Sequence, residues 1–554
     1  MCGIAGLVGQ RNSSVANGIV SAMCKALAHR GPDGEGLFVS SNPPVALGHR
    51  RLAILDCHPR SNQPMQSADG RFVITFNGEI YNFRDLRKEL EASGSTFRTE
   101  SDTEVAVEGF RHWGAGAFSR FRGMWALAIA DLEARRIVFS RDPFGIKPLY
   151  FGQVGDALYF ASEPKALVAA DRAFSEIDQV SVALFQDIGT LDRGPWTFFR
   201  KIQRFPHAHW AESPIDAPRL ANFQRYWAPP TETSKQSYRD AVRTTAVLFH
   251  RSVARHVVSD VPVAVCLSGG LDSSAIASSV RDHVPPNSPI LAFTARFANA
   301  PEVDETQWAA QVARKSGHVH VVAEQSADKF SALLPEVLRA QDEPFGSTSI
   351  FAQYELFRSI QSQGIKVALD GQGADEQLGG YHSFFSSYLD SLLHDGEIVR
   401  YAFEGWQLWR KHRFRYFDHL MHRGLRQLAR GRMQRRDHPV VSMAEADEYE
   451  SRVRALAPMP NASFEDTLRT LTCDSNLPQL LRYADRGNTK AVFRDAMRGV
   501  IAEPVRRRRD KLGFATPEQR WLKRELAVEG EPNGGKTWRK FVTKHWLKQG
   551  QDHS

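Results

Sequence analysis

The sequence predicts a chain in two parts: a β-rich N-terminal half built on paired strands, then an α/β half organised on a parallel sheet. Three features point to this. Residues 124–131 and 136–141 read as two strands around a short turn. Further on, apolar segments at 261–267, 290–297, 318–322 and 365–369 alternate with stretches of helical spacing, the pattern of a parallel sheet with ligands at the strands' carboxyl ends. A proline- and polar-rich run, 214–235, lies between the two patterns and reads as a linker.

The length of 554 residues exceeds what one ordinary core supports. Its 42% hydrophobic and 24% charged residues are those of a water-soluble globular protein. Five cysteines without paired or metal-like spacing make neither a disulfide framework nor a zinc site, and the cytoplasm is the expected compartment. No apolar run reaches the roughly 20 residues of a membrane span, and no basic region precedes an apolar core at the N-terminus. A net charge of +8 admits anionic partners. The basic run shows no known nucleic-acid recognition pattern, so no nucleic-acid partner is expected.

In the second half, Leu267-Ser268-Gly269-Gly270-Leu271-Asp272-Ser273-Ser274 follows the first apolar strand and opens a helix. Two residues without Cβ let an anion approach the backbone closely, and the helix start adds partial positive charge. Ser268, Ser273 and Ser274 bring hydroxyl donors, and Asp272 is suited to hold Mg²⁺ against phosphate oxygens. The lysine and spacing of a P-loop are absent. The loop resembles instead the pyrophosphate loop of the N-type ATP pyrophosphatases, which implies ATP as a substrate, cleaved to AMP and pyrophosphate.

The chain begins Met1-Cys2-Gly3, and removal of methionine before a small residue is expected to leave Cys2 first. Its α-amine, with a reference pKa of about 8, can then take the thiol proton. Ala28-His29-Arg30-Gly31-Pro32-Asp33-Gly34, Gly48-His49-Arg50-Arg51-Leu52, Phe76-Asn77-Gly78-Glu79 and Ser101-Asp102-Thr103-Glu104 follow. Asn77-Gly78 also suits a turn, and Ser101 to Glu104 a helix capping box. With Arg141-Asp142-Pro143-Phe144-Gly145-Ile146-Lys147-Pro148-Leu149 and Ala161-Ser162-Glu163, these segments resemble the class II glutamine amidotransferase domain of asparagine synthetases. That resemblance implies an N-terminal-nucleophile hydrolase sandwich of αββα layering, with Cys2 attacking the glutamine amide. It further implies that Asn77 and Gly78 steady the oxyanion, Arg50 holds the α-carboxylate, and Glu79 and Asp102 receive the α-ammonium.

Asp370-Gly371-Gln372-Gly373-Ala374-Asp375-Glu376, Asp304-Glu305 and Asp342-Glu343-Pro344-Phe345 read as acidic pairs at strand ends, suited to Mg²⁺ or a cationic substrate group. With Asn476-Leu477-Pro478-Gln479, Asp485-Arg486 and Arg509-Asp510-Lys511-Leu512-Gly513-Phe514, they resemble the synthetase domain of the same family. The resemblance implies a carboxylic acid acceptor, adenylated and then amidated by ammonia. Asp272 and Asp375 are the candidate metal ligands, Lys511 the catalytic cation, and Gln372 and Glu376 the acceptor-side candidates. Gln372 stands where asparagine-forming members carry glutamate, and after Arg486 a segment containing Glu-x-Arg-x-Pro-Phe-Leu-Asp is missing. The acceptor is therefore open among aspartate, aspartate-like, sugar-acid and peptide carboxylates. An amide-forming cyclase of β-lactam or lasso-peptide type and a non-catalytic relative are the alternatives. The expected limits are 2–210 for the glutaminase, 211–237 for the linker and 238–554 for the synthetase. A homodimer is left open, residues 406–436 read as basic amphipathic helices, and Trp538 and Trp546 read as docking points on a polar tail.

Overall fold

The computed structural model describes residues 1–9, 12–189, 191–229, 236–378, 388–390, 392–393, 396–412, 445–456, 491–508, 516–518, 520–522 and 534–551. The first half contains β1 (Gly3–Val8), α1 (Ser13–Ala26), β2 (Gly34–Ser41), β3 (Pro44–Arg51), β4 (Met65–Gln66), β5 (Phe72–Ile80), α2 (Phe83–Ala92), α3 (Asp102–Trp113) and α4 (Ala117–Arg120). It continues with β6 (Gly123–Asp131), β7 (Arg136–Arg141), β8 (Tyr150–Val154), β9 (Ala157–Ala161), α5 (Pro164–Ala170), α6 (Gln179–Ile188), β10 (Gln203–Arg204), β11 (His209–Pro214) and β12 (Gln224–Arg225).

These strands make two six-stranded antiparallel sheets, ordered β10-β8-β9-β1-β3-β2 and β12-β11-β7-β6-β5-β4. Side chains alternate between faces along a strand, and here both faces are covered. Ile4, Val8, Leu47 and Phe160 of the first sheet meet Val73, Ala128, Ile137 and Phe139 of the second. The opposite face of the first sheet, through Ala5, Leu7 and Tyr159, packs on Val20, Met23 and Leu167 of α1 and α5. Ile74, Phe76 and Ile129 of the second pack on Leu86, Leu90 and Phe110 of α2 and α3. The expected β6–β7 pair forms, with Leu127 opposite Ser140. Residues 197–202 lead into a two-residue β10, and β11, paired to β7, carries the second sheet past residue 211, where the linker was expected to begin.

The second half contains α7 (Tyr238–His256), β13 (Val263–Cys266), α8 (Leu271–Val280), β14 (Leu291–Arg296), α9 (Thr306–Ser316), β15 (Val319–Glu324), α10 (Ala327–Gln341), α11 (Ser349–Ser362), β16 (Val367–Leu369) and α12 (Ala374–Gln377). Its sheet is parallel in the order β15-β14-β13-β16. The chain works outward from β13 to β15 and then returns to the far side of β13, so the strand order reverses there. Loops leaving β13 and β16 consequently open side by side, the place where open α/β sheets bind ligands.

A shared core ties the halves together: Phe185 and Phe198 from the first pack with Phe330, Phe345, Phe351, Trp538 and Trp546 from the second. The two tryptophans of the helix Gly534–Gln551 are therefore interior, 0% and 8% exposed, and not the docking points expected on a polar tail. Each buried ring of this size contributes roughly 4–6 kcal/mol before ordering costs. Their indole N–H groups donate to Phe345 O at 2.7 Å and Asp342 O at 2.6 Å. Of the basic stretch 406–436, only its start falls within the helix Ile398–His412; the remainder lies outside the described residues.

Candidate active site

Cys2 sits at the head of β1, where Leu52 N approaches its Sγ at 3.4 Å and Leu52 O lies 3.7 Å away. Arg30 Nε donates to Cys2 O at 2.8 Å, fixing the main chain beside the thiol. Burial pushes the thiol pKa up. Burial first, and then Arg30, depress the neighbouring Met1 amino group to about 5.

Asn77 and Gly78 are mid-strand residues of β5, opposite Ala126 and Trp125, so the turn suggested by the pair does not form. A Cβ at Gly78 would stand 2.3 Å from Met124 O, which requires glycine there. Asn77 is 1% exposed, and its Nδ2 has no hydrogen-bond partner among the described residues. A buried amide donor left open in this way costs about 1–3 kcal/mol unless a ligand oxygen takes it. Asn77→Ala is expected to lower kcat for glutamine hydrolysis by about 10²–10³-fold with little change in KM, as measured by glutamate release.

Asp102 is the first residue of α3, where Ser101 caps by accepting Thr103 N at 3.0 Å. Glu104 does not close the expected capping box; its carboxylate instead receives Arg98 N and Thr99 N at 2.9 and 2.7 Å. Burial, with the Glu79 carboxylate adding to it, pushes Asp102 up to about 7. Burial also raises Glu79. Two buried acids held above their ordinary range gain most from an incoming ammonium group.

Arg50 is not brought to this site. Its guanidinium turns to Glu35 and to Gly31 O, the latter at 3.2 Å. Arg51, one residue on and hence on the other face of β3, lines the cavity with Cys2 and is 7% exposed. It also anchors the loop at 55–62, through His58 O at 3.0 Å and Asn62 Oδ1 at 2.9 Å. Sequence reasoning missed Lys147 as well, although it lies in the 141–149 motif. Asp142 accepts from the backbone N–H groups of Phe144, Ile146 and Lys147, and Arg141 donates to Gly145 O and Lys147 O. The motif thus builds a loop that delivers a buried lysine, its pKa lowered by burial, to the cavity beside Glu79.

At the switch point, Ser268 N donates to Ser273 Oγ at 3.2 Å and Gly270 N to Ser268 Oγ at 3.3 Å. No side chain caps α8, so its first-turn N–H groups face the space above β13. Leu267 is held by Phe293 through its N–H at 2.8 Å. Ser274 is fully buried, with no partner for Oγ among the described residues. Gly371 presses on this loop: a Cβ there would lie 3.2 Å from both Asp272 Cβ and Ser273 N. Asp272 and Asp375 are both buried, 5% and 4% exposed, on the adjoining α8 and α12. Among the described residues no group of three His, Cys, Asp or Glu side chains clusters as a metal site. Buried carboxylates such as Asp272 and Asp375 are oxygen donors of the kind that would suit Mg²⁺.

One continuous cavity of about 1880 Å³ runs from the first half to the turn after β16: Cys2, Asn77, Glu79 and Asp102 line one part, and Ile360, Leu369, Asp370 and Gln372 another. Gln372 Oε1 is buried without a partner among the described residues. Glu376 lies on α12, with its side chain outside the described set, and Lys511 and 476–490 lie outside it altogether. The other two acidic pairs are structural. Asp304 accepts from Thr306 N at 3.1 Å, and Glu305 pairs with Arg508 at 2.7 Å. Asp342 and Glu343 follow a helix, α10, not a strand, and bind the first half through Lys165 and Phe198 N.

Residues 1–227 match the glutamine amidotransferase domain family and residues 244–529 the asparagine synthase family. A glutamine-hydrolysing asparagine synthetase 1 of Bacillus subtilis (strain 168) is 28% identical over 95% of this chain and 88% of its own. Asparagine synthetase 3 of the same organism is 30% identical over 74% of this chain and 68% of its own. The amidase chry2 of Gibberella zeae is 28% identical over 71% of this chain and 61% of its own. The two domains define a glutamine-hydrolysing enzyme of ligase type. The chain belongs to the asparagine synthetase family.

Proposed function

We propose that this chain is a glutamine-dependent amidotransferase that consumes ATP to amidate a carboxylic acid. The observation that carries the reading is the single cavity shared by Cys2 and the Asp370–Gln372 turn. In it, the first half acts as an N-terminal-nucleophile hydrolase of αββα layering. Cys2 Sγ attacks the glutamine side-chain amide as the chain-terminal amine takes its proton, and Asn77 Nδ2 with Gly78 N–H receives the oxyanion. Glu79 and Asp102 take the α-ammonium. Arg51, the arginine of the pair that faces the cavity, takes the α-carboxylate. Ammonia leaves as the thioester forms, and water then releases glutamate.

In the second half the 267–274 loop holds ATP phosphates. Asp272 and Asp375 hold Mg²⁺, which offsets phosphate charge when bound. The acceptor carboxylate attacks the α-phosphorus and expels pyrophosphate; ammonia then attacks the acyl-adenylate and expels AMP. Transfer through this cavity and not through bulk water favours unprotonated ammonia. The acceptor is aspartate or another small, sugar-acid or peptide carboxylate. The glutaminase unit extends through β12, the linker through residue 237 and the synthetase unit from 238. The cytoplasm remains the proposed compartment.

Glutamine labelled with ¹⁵N in its side-chain amide, supplied with ATP, Mg²⁺ and a panel of carboxylic acids, tests this directly. The expected result is acid-dependent pyrophosphate release with label in the product amide. AMP formation with an unlabelled product would replace this reading with a cyclase, and ATP binding without AMP across the panel would replace it with a non-catalytic relative.

A further inference from the structure

The Cys2 main chain is held by an ion-pair series that crosses into the second half. Arg30, with Nε on Cys2 O at 2.8 Å, places Nη1 on Glu163 Oε1 at 2.5 Å. Glu163 Oε2 meets Lys165 Nζ at 3.1 Å, and the same ammonium reaches Asp342 Oδ1 at 2.9 Å and Arg339 O at 2.8 Å. Asp342 Oδ2 also accepts Lys165 N at 3.1 Å, so both its oxygens grip this one residue. The members are shielded: Arg30, Glu163 and Asp342 side chains are 8%, 11% and 5% exposed. His29, 47% exposed, meets Glu163 at 3.0 Å from the solvent side.

Asp342 is itself tightly placed. Its φ is +62°, a left-handed conformation that costs a non-glycine residue about 1–2 kcal/mol, and its carbonyl accepts Trp546 Nε1 at 2.6 Å. Thr348, six residues on, contacts Thr516 and Glu518 of the second half. On the other side, Ser162 beside Glu163 exchanges two bonds with Ile4 of β1, each 2.9 Å. The pairing of Lys165 with Asp342 therefore joins two rigid frames, one carrying Cys2 and one carrying the synthetase sheet.

We propose that the Lys165–Asp342 pair is a positioning device for the nucleophile: the second half supplies the carboxylate that keeps Lys165 on Glu163, Glu163 on Arg30, and Arg30 on the Cys2 carbonyl. None of these links touches the glutamine-binding acids Glu79 and Asp102. The device therefore acts on the placement of Sγ and not on the binding of glutamine. Misplacing a reacting atom by about 1 Å costs up to about 10²-fold in rate. This inference rests on the glutaminase reading of Cys2.

The test is glutamate release by the full chain for wild type, Asp342→Asn, Lys165→Met, Lys165→Arg and the Asp342→Asn/Lys165→Met pair, with thermal melts for each. The expected result is kcat lowered about tenfold or more in both single variants, KM for glutamine within twofold, the pair no worse than the poorer single variant, and partial recovery in Lys165→Arg. An unchanged kcat, losses that multiply in the pair, or kcat and KM moving together with a lowered melting temperature would overturn the positioning role. Failure of the underlying reading looks different: the wild type itself would release no glutamate, or Cys2→Ala would release as much.

Discussion

Cys2→Ala is expected to reduce glutamine hydrolysis by at least about 10³-fold, to the background left by binding and the oxyanion donors alone. The substitution deletes the one atom that forms the thioester and little else. Sγ hydrogen-bonds only to Leu52 among the described residues, at 3.4 and 3.7 Å, so the fold loses two weak contacts. The second half keeps its own sheet and loops, so pyrophosphate release driven by added ammonium salt and an accepted acid should stay within twofold of wild type. Parallel assays of glutamate and pyrophosphate read both effects. Glutamate release at the wild-type rate would remove Cys2 from the chemistry.

The second large effect is expected in the loop that joins β13 to α8. Gly269 has φ +75°, and a Cβ there would stand 2.6 Å from Trp308 Cβ and 2.7 Å from Ala309 N. Any side chain meets two penalties together: a left-handed backbone worth about 1–2 kcal/mol, and a collision with the first turn of α9, which cannot give way as a flexible side-chain tip can. Gly269→Val should push the loop away from α9 and lower ATP-dependent pyrophosphate release by at least about 100-fold. Glutamine hydrolysis should stay within twofold, because the Cys2 pocket is built from the antiparallel sheets. Retention of pyrophosphate release in a folded Gly269→Val protein would mean that the loop does not hold ATP.

The two halves differed in how far they could be read in advance. Motif residues lying on one strand or one turn, such as Asn77-Gly78-Glu79 and Ser268 to Ser274, arrived together because chain connectivity keeps them together. The arginine pair shows the limit. Period-two alternation dictates that Arg50 and Arg51 face opposite ways, but not which of them faces the cavity, and only the packing of β3 beside β1 decides it. The acidic pairs failed for a related reason. Asp342-Glu343 and Asp304-Glu305 have the composition of a cation site, yet Lys165, Phe198 N and Arg508 approach them from distant parts of the chain. Trp538 and Trp546 read as exposed in a polar helix, and their partners Phe330, Phe345 and Phe198 are more than 100 residues away.

The sequence alone carried the two proposed chemistries, because a cysteine beside the first methionine and a glycine pair between strand and helix are local objects whose residues must be neighbours to exist. Tertiary structure decided their relation: which arginine enters, which acids are spent on the domain boundary, and that one cavity reaches both Cys2 and Gln372. Those outcomes depend on contacts between segments far apart in the chain, set by sheet order and shared burial, which no local pattern encodes.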